Sequence, residues 1–338
     1  MPAPLPIGLN TYCLRSLRWS DRQLLEYAAS QKMDMIFLQD SLDPRTKDPA
    51  HWAEVKRWSE ELGLKLETGG GGVFPAKPEQ FQASVDNILY NARRAAAMGS
   101  KLIRMVCFGQ RSSMPPGPAM QHLETMVRLL KAVRSQVEDL GVRPAIEVHK
   151  DFQAWEFKQM IEAAGRDYAG IYLDTGNPVF VHEHPMTAIE TLAEYAVTFH
   201  LRDSVVYEHP KGIAVQWVPL GEGNVDFPAI LKRFRELCPR EVSVVIKPIT
   251  GRLPAILPVN DAAYWASYPN GRASEYAKFL QLAKSGGPYE KYMLIEDAPG
   301  KPPEILPLVQ AQQKEHLERS IEYGKRVLDL GRRWRNRG

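Results

Sequence analysis

The chain has 338 residues, 44% hydrophobic and 25% charged, with a net charge of +3. So small a charge gives no general attraction to nucleic acid or to a membrane surface, and no apolar run approaches the length of a membrane span. The length is long for one domain, but single α/β barrels reach it.

In chain order, short apolar runs alternate with longer amphipathic ones, the pattern of a parallel sheet wrapped by helices. Met1–Pro6 lacks the basic start and apolar stretch of a signal peptide, so a reducing cytoplasm is the expected compartment. Ile7–Leu14 reads as the first strand, and Ser20-x-x-Gln23 as a capping box opening a helix. Met33–Gln39 is the second strand. Asp48-Pro49 opens a helix to Leu62, with proline at its favoured first position. Leu64–Thr68 is the third strand, with Gly69–Gly72 as a flexible loop behind it. The helix over Phe81–Met98 stops at Gly99. Leu102–Phe108 is the fourth strand, followed by a helix from Gly117 to Leu140. Strands five, six and seven end in Glu147, Asp174 and His200, and Val242–Ile246 is the eighth.

The alternation predicts an α/β chain folded as a (β/α)8 TIM barrel, with residues 1–338 as one domain. Two stretches break the rhythm. Val205–Asp226 reads as a β-hairpin inserted after strand seven, over the barrel mouth. Residues 248–338 form a long C-terminal extension of lid and helices, rich in proline and glycine over Pro248–Pro258 and Ser285–Pro307. Lys325-Arg326 and the run Arg332–Arg337 read as a solvated helix end. Cys13, Cys107 and Cys238 are odd in number and far apart, which gives neither a disulfide framework nor a cysteine metal motif. Cys13 and Cys107 lie in apolar runs and read as core.

Glu147, Asp174 and His200 are spaced 27 and 26 residues apart, about one strand-plus-helix unit each time. A polar residue recurring at successive strand ends is how a barrel gathers a site at one mouth. Glu, Asp and His together suit one divalent cation, manganese first, with magnesium, cobalt or zinc as alternatives. Residues two apart on a strand share a face, so Glu147 goes with His149, His200 with Arg202, and Ser243 and Val245 with Lys247. His149 reads three ways: a fourth ligand, a structural hydrogen-bond partner, or a general base. Lys247 at a barrel mouth either turns outward or stabilises negative charge on a substrate, and its charge is also what would replace a metal. Asn10, Glu67, Asn177, Arg202 and Trp217 are assigned to substrate contact. His182 and His184 fall in a loop expected to face solvent or the mouth.

Four blocks carry a family resemblance: Ile146–Asp151, Leu173–Pro178, His200–Asp203 and Pro219–Asp226. On these the chain resembles the sugar phosphate isomerase/epimerase superfamily, the xylose-isomerase-like TIM barrels, from about Ile7 to Leu282. The resemblance implies metal ligands at Glu147, Asp174 and His200. It places at Lys247 the position where the superfamily carries a strand-eight glutamate, and at Asn177 a position that is often histidine. A two-carboxylate epimerase mechanism therefore cannot run here as it does in relatives. What remains suits removal of one proton beside a sugar ketone, with His149 as base and Lys247 supporting the enolate. The branch of C-glycoside deglycosidase catalytic subunits implies a lyase acting on a 3-keto-glycoside, alongside a small β-rich partner subunit. A ketose or sugar phosphate isomerase or epimerase is the alternative, and a non-catalytic sugar-binding barrel a further one. Neither nucleic acid nor a membrane is implied as a partner.

Overall fold

A computed structural model describes residues 3–39, 43–296, 300 and 302–335. Asn336 and Arg337 of the basic terminal run lie outside the described residues. In chain order the strands are β1 (Ile7–Asn10), β2 (Met35–Gln39), β3 (Lys65–Gly72), β4 (Leu102–Val106), β5 (Arg143–Glu147), β6 (Gly170–Asp174), β7 (Ala196–Leu201), β8 (Asp203–His209), β9 (Gly212–Val218), β10 (Val244–Ile246) and β11 (Ala255–Leu257). The helices are α1 (Asp21–Ser30), α2 (Pro49–Glu61), α3 (Phe81–Ala97), α4 (Ala119–Asp139), α5 (Ala154–Ala164), α6 (Pro185–Leu192), α7 (Phe227–Leu237), α8 (Ala262–Trp265), α9 (Ala273–Ser285) and α10 (Leu306–Arg326). β1 to β7 and β10 close into a parallel barrel, with β10 pairing both β1 and β7. β8, β9 and β11 form a separate antiparallel sheet. The fold is the expected (β/α)8 barrel with an inserted hairpin.

Local chemistry explains most boundaries. The Ser20–Gln23 capping box opens α1, and Asp48 caps α2 ahead of Pro49. β1 is shorter than the sequence suggests. Asn10 accepts a bond from Tyr12 N and turns the chain into a 3-10 helix, so Thr11–Leu14 leaves the sheet. The larger correction is at Gly69–Gly72, which extends β3 instead of forming a flexible loop. A Cβ on Gly69 would lie 2.3 Å from Cβ of Arg104. The glycine thus permits the close passage of β4 that delivers the Arg104 side chain to the mouth.

The barrel interior obeys the alternation of side chains along each strand. Met35, Phe37, Leu102, Ala145, Tyr172 and Val245 pack together inside it, apart from the larger apolar layer between strands and helices. Cys13 and Cys107 are buried in that outer layer, as expected. At the C-terminus, Arg332 and Arg333 do not simply dangle in water. Their backbone N–H groups donate to Asp34, and Arg333 donates to the carbonyls of Met33 and Gly63. Arg332 and Arg333 thus clasp the β2 and β3 starts. No helix among the described residues is long and apolar enough to cross a membrane.

Candidate active site

Glu147 ends β5, Asp174 ends β6 and His200 lies in β7, all fully buried. Asp174 is level with His200 across the sheet, and His200 is level with Val245. Two residues beyond Val245, Lys247 turns inward. Its ammonium donates to Glu147 Oε1 at 2.7 Å and to Asp174 Oδ2 at 3.1 Å. Arg104 of β4 binds the other Glu147 oxygen, and Arg202 donates to Asp174 Oδ2 at 2.7 Å. Two carboxylates are thus shared among three cations. Gly176 makes room for this arrangement, since a Cβ there would meet the Arg202 side chain at 2.7 Å. Burial alone would raise the Glu147 carboxyl, but Arg104 and Lys247 hold it well below the usual range. Burial lowers the Lys247 ammonium, and the two carboxylates offset part of that effect.

These donors do not fit a divalent cation as they stand. Lys247 stands between the two carboxylates where a metal would, and a further double charge would meet Lys247, Arg104 and Arg202 at contact range. The ligand atoms of Glu147, Asp174 and His200 also fail to converge. Among the described residues, the group with three such atoms within 4.8 Å of one another is Asp21, Asp43 and His51, from the start of α1, the segment between β2 and α2, and the first turn of α2. There the His51 Nε2 is 2.9 Å from Asp21, and Asp43 accepts a bond from Asp21 N. The strand-end set is therefore assembled as the sequence indicates, with its two carboxylates tied up in an ion-pair network with Lys247, Arg104 and Arg202.

His200 is engaged on both ring nitrogens. Its Nδ1 is 2.6 Å from the Tyr172 hydroxyl and its Nε2 is 3.3 Å from Thr198 Oγ1. Thr198 donates to Glu67 at 2.7 Å, and Lys65 donates to Glu67 and to Ser243. The assignment that satisfies every group has Tyr172 donating to Nδ1 and Nε2–H donating to Thr198. Burial and Lys247 hold the His200 imidazole well below its ordinary range, so it is neutral. Glu67 lies in this chain inside the barrel, below the mouth.

Above Lys247 opens a cavity of about 670 Å³, into which His149, Arg202 and Trp217 also project. His149 Nδ1 is buried with no hydrogen-bond partner. Burial pushes the imidazole down to about 4, leaving it unprotonated near neutral pH. Trp217, from β9, donates to the Gly176 carbonyl at 2.7 Å and lies 4.9 Å from the Phe180 ring. The hairpin expected over the mouth is present as β8–β9, and it supplies this wall. The part of the expected stretch after Val218 is not strand, because Gly221 and Gly223 N–H groups turn onto Asp203.

The remaining substrate-contact assignments fall elsewhere. Asn10 caps the turn after β1, and Asn177 donates to the Val148 carbonyl while its Oδ1 is buried without a partner. Neither borders the cavity. His182 does not face solvent. It is buried among Tyr264, Trp265, Tyr268 and Tyr276, with Nδ1 at 3.1 Å from the Tyr264 hydroxyl. His184 caps α6 through Met186 N. Sequence reasoning missed Arg104, Lys150 and Arg252, which all border the cavity. Arg104 left a signal, a lone arginine within the apolar run Leu102–Val106 and on the face of Leu102.

Residues 25–246 match the family described as the xylose isomerase-like TIM barrel, and the chain belongs to that family. Over 241 residues, 68% of this chain, it is 23% identical to 3-oxo-isoapionate decarboxylase of Pectobacterium atrosepticum, covering 81% of that protein. Over 99 residues, 29% of this chain, it is 26% identical to the uncharacterized protein YihM of Escherichia coli (strain K12), of which the match spans only 30%. Among solved structures, D-psicose 3-epimerase in the presence of D-fructose superposes with a TM-score of 0.65 at 15% identity, over 96% of this chain and 99% of the other. The IOLI protein with a bound zinc atom gives a TM-score of 0.56 at 15% identity, over 82% of this chain and 95% of the other. At such identities these structural likenesses speak for the fold alone.

Proposed function

We propose that this barrel is a carbon-acid enzyme of keto-sugars, and specifically a lyase. The observation that carries the reading is that an unpartnered neutral imidazole, His149, and a buried ammonium, Lys247, open onto one cavity. His149 removes the proton from the carbon beside the sugar ketone. The C–H electron pair forms an enolate whose oxygen is stabilised by Lys247, a preorganised charge in a partly water-excluded site. The enolate pair then moves to form the carbon–carbon double bond and breaks the bond to the β-substituent, which leaves with the electrons and takes up a proton. For a 3-keto-glycoside the C2 proton is lost and the aglycone departs from C1. One base on one face is enough for this, whereas epimerisation needs proton delivery to the opposite face.

A second reading is favoured by the cavity's cationic lining and by the similarity to a 3-oxo acid decarboxylase. In a 3-oxo sugar acid, loss of carbon dioxide leaves an enolate on the same ketone, and Lys247 would stabilise it without a base. The two readings part at His149. The test is aglycone release from a 3-keto-glycoside and carbon dioxide release from a 3-oxo sugar acid, in wild type and in His149→Ala. A fall of about 10²–10⁴-fold in aglycone release supports the lyase with His149 as base. Carbon dioxide release unaffected by His149→Ala, with no aglycone release, moves the assignment to decarboxylation. Solvent deuterium entering a simple ketose, with neither product released, moves it to isomerisation.

A further inference from the structure

The rim of the cavity gathers three cations, Lys150, Arg202 and Arg252, and of these Lys150 has no carboxylate partner among the described residues. Lys150 follows β5 by three residues, and no carboxylate among the described residues lies within 4 Å of its ammonium. Instead it rests 5.2 Å from the centres of both the Phe180 and Trp217 rings. The same Trp217 ring carries the Arg202 guanidinium at 4.3 Å. Arg202 spends one nitrogen on Asp174, while its Nε is buried with no partner. Arg252 borders the same space and reaches Glu296 at 3.4 Å, a carboxylate it shares with Arg15. Asp151 is the nearest acid in sequence to Lys150, but both its oxygens accept backbone bonds, from Phe108 and Phe152.

Lys150 and Arg202 both approach the Trp217 ring, and Asp174 offsets the Arg202 charge while Lys150 is left with repulsion and desolvation that a nearby anion would relieve. A concave surface of one sign also concentrates ligands of the other. We infer that Lys150, Arg202 and Arg252 form an anion subsite that takes a carboxylate or phosphate of the substrate, so the substrate is a charged sugar derivative and not a neutral one. The inference rests on the keto-sugar reading for the word sugar, but the subsite stands on the charges and the cavity alone. Trp217 positions the two cations and offers its face to the sugar ring beside them. A carboxylate matches the Arg202 fork, and burial already draws the Lys150 ammonium down to about 8, an effect a bound anion would reverse.

The test is titration calorimetry and thermal shift on the full chain with three probes: D-gluconate, D-glucose 6-phosphate and methyl α-D-glucoside. At least one anionic probe is expected to bind about tenfold or more tightly than the neutral glycoside, and the stronger of the two tells carboxylate from phosphate. Lys150→Met should weaken that anion by about ten- to hundredfold, the value of one charge-assisted hydrogen bond. Lys150→Arg should restore most of it, and circular dichroism checks that both variants fold. Equal binding of neutral and anionic probes overturns the subsite, as does undiminished anion binding in a Lys150→Met/Arg252→Met double variant. These readouts involve no turnover. Anion binding in a protein that releases neither aglycone nor carbon dioxide would sink the lyase reading and keep the subsite.

Discussion

The floor and the rim of the cavity handle positive charge in opposite ways. On the floor, Lys247, Arg104 and Arg202 are tied to Glu147 and Asp174 by direct bonds, and every member is buried. On the rim, Lys150 is held by aromatic faces and Arg252 shares a carboxylate with Arg15. Charges balanced within the chain are set in place before any ligand arrives and define where negative charge can develop. Lys150, which has no carboxylate partner among the described residues, is on the inference above completed from outside. On the proposed reading the floor serves the reaction and the rim serves recognition, with Arg202 shared between them through Asp174 and Trp217.

The sharpest way to break this contrast is on the floor. The largest effect is expected from His149→Ala, about 10²–10⁴-fold in the elimination rate, because the base is lost while the network below is intact. In stability, Glu147→Ala strips Lys247 and Arg104 of their shared partner and should cost about 3–5 kcal/mol, read by denaturant unfolding. A rim change such as Lys150→Met should cost far less stability. Equal losses at the two places would erase the distinction between floor and rim.

A smaller effect sharpens the comparison through pH. The His149 imidazole, drawn to about 4 by burial, stays unprotonated across pH 5–8. The pH dependence of kcat/KM should therefore be flat on its acid side in that window, and a limb near the ordinary histidine value would place the base elsewhere. Stability has its own pH signature away from the mouth. Glu183, whose oxygens accept the Ala154 N–H, is raised by burial from 4.5 to about 8. A folded pKa above the unfolded one favours the fold below about 4.5, and that contribution is lost as pH rises through about 8. Glu183→Gln should flatten the decline in unfolding free energy between these pH values. An unchanged slope would contradict it.

The sequence made the barrel legible because strands five to seven repeat one pattern, apolar run then polar terminus, at nearly equal spacing. The shared faces of Glu147 and His149, and of Val245 and Lys247, followed from strand alternation alone. The fate of those side chains did not. Whether a glutamate faces a metal or a lysine depends on Lys247 and Arg104 arriving from β10 and β4, contacts separated by 100 and 43 positions in the chain. Gly69–Gly72 misled for a related reason, since the constraint that selects glycine there is the Arg104 side chain on the neighbouring strand. His182 looked exposed because its loop is polar, yet the aromatic residues of α8 and α9 fold over it.

The claim that Lys247 occupies the place of a metal also makes Lys247→Glu informative, since it replaces the tethered cation with a third carboxylate. That variant should gain a manganese or zinc ion and lose lyase turnover. Anomalous diffraction from manganese-soaked crystals of the wild-type protein is the most direct measurement. The expected map has no anomalous peak between Glu147 and Asp174, with the Lys247 ammonium bonded to both. A peak within about 2.0–2.6 Å of those carboxylates, with Lys247 swung away, would show that the site is a metal centre after all.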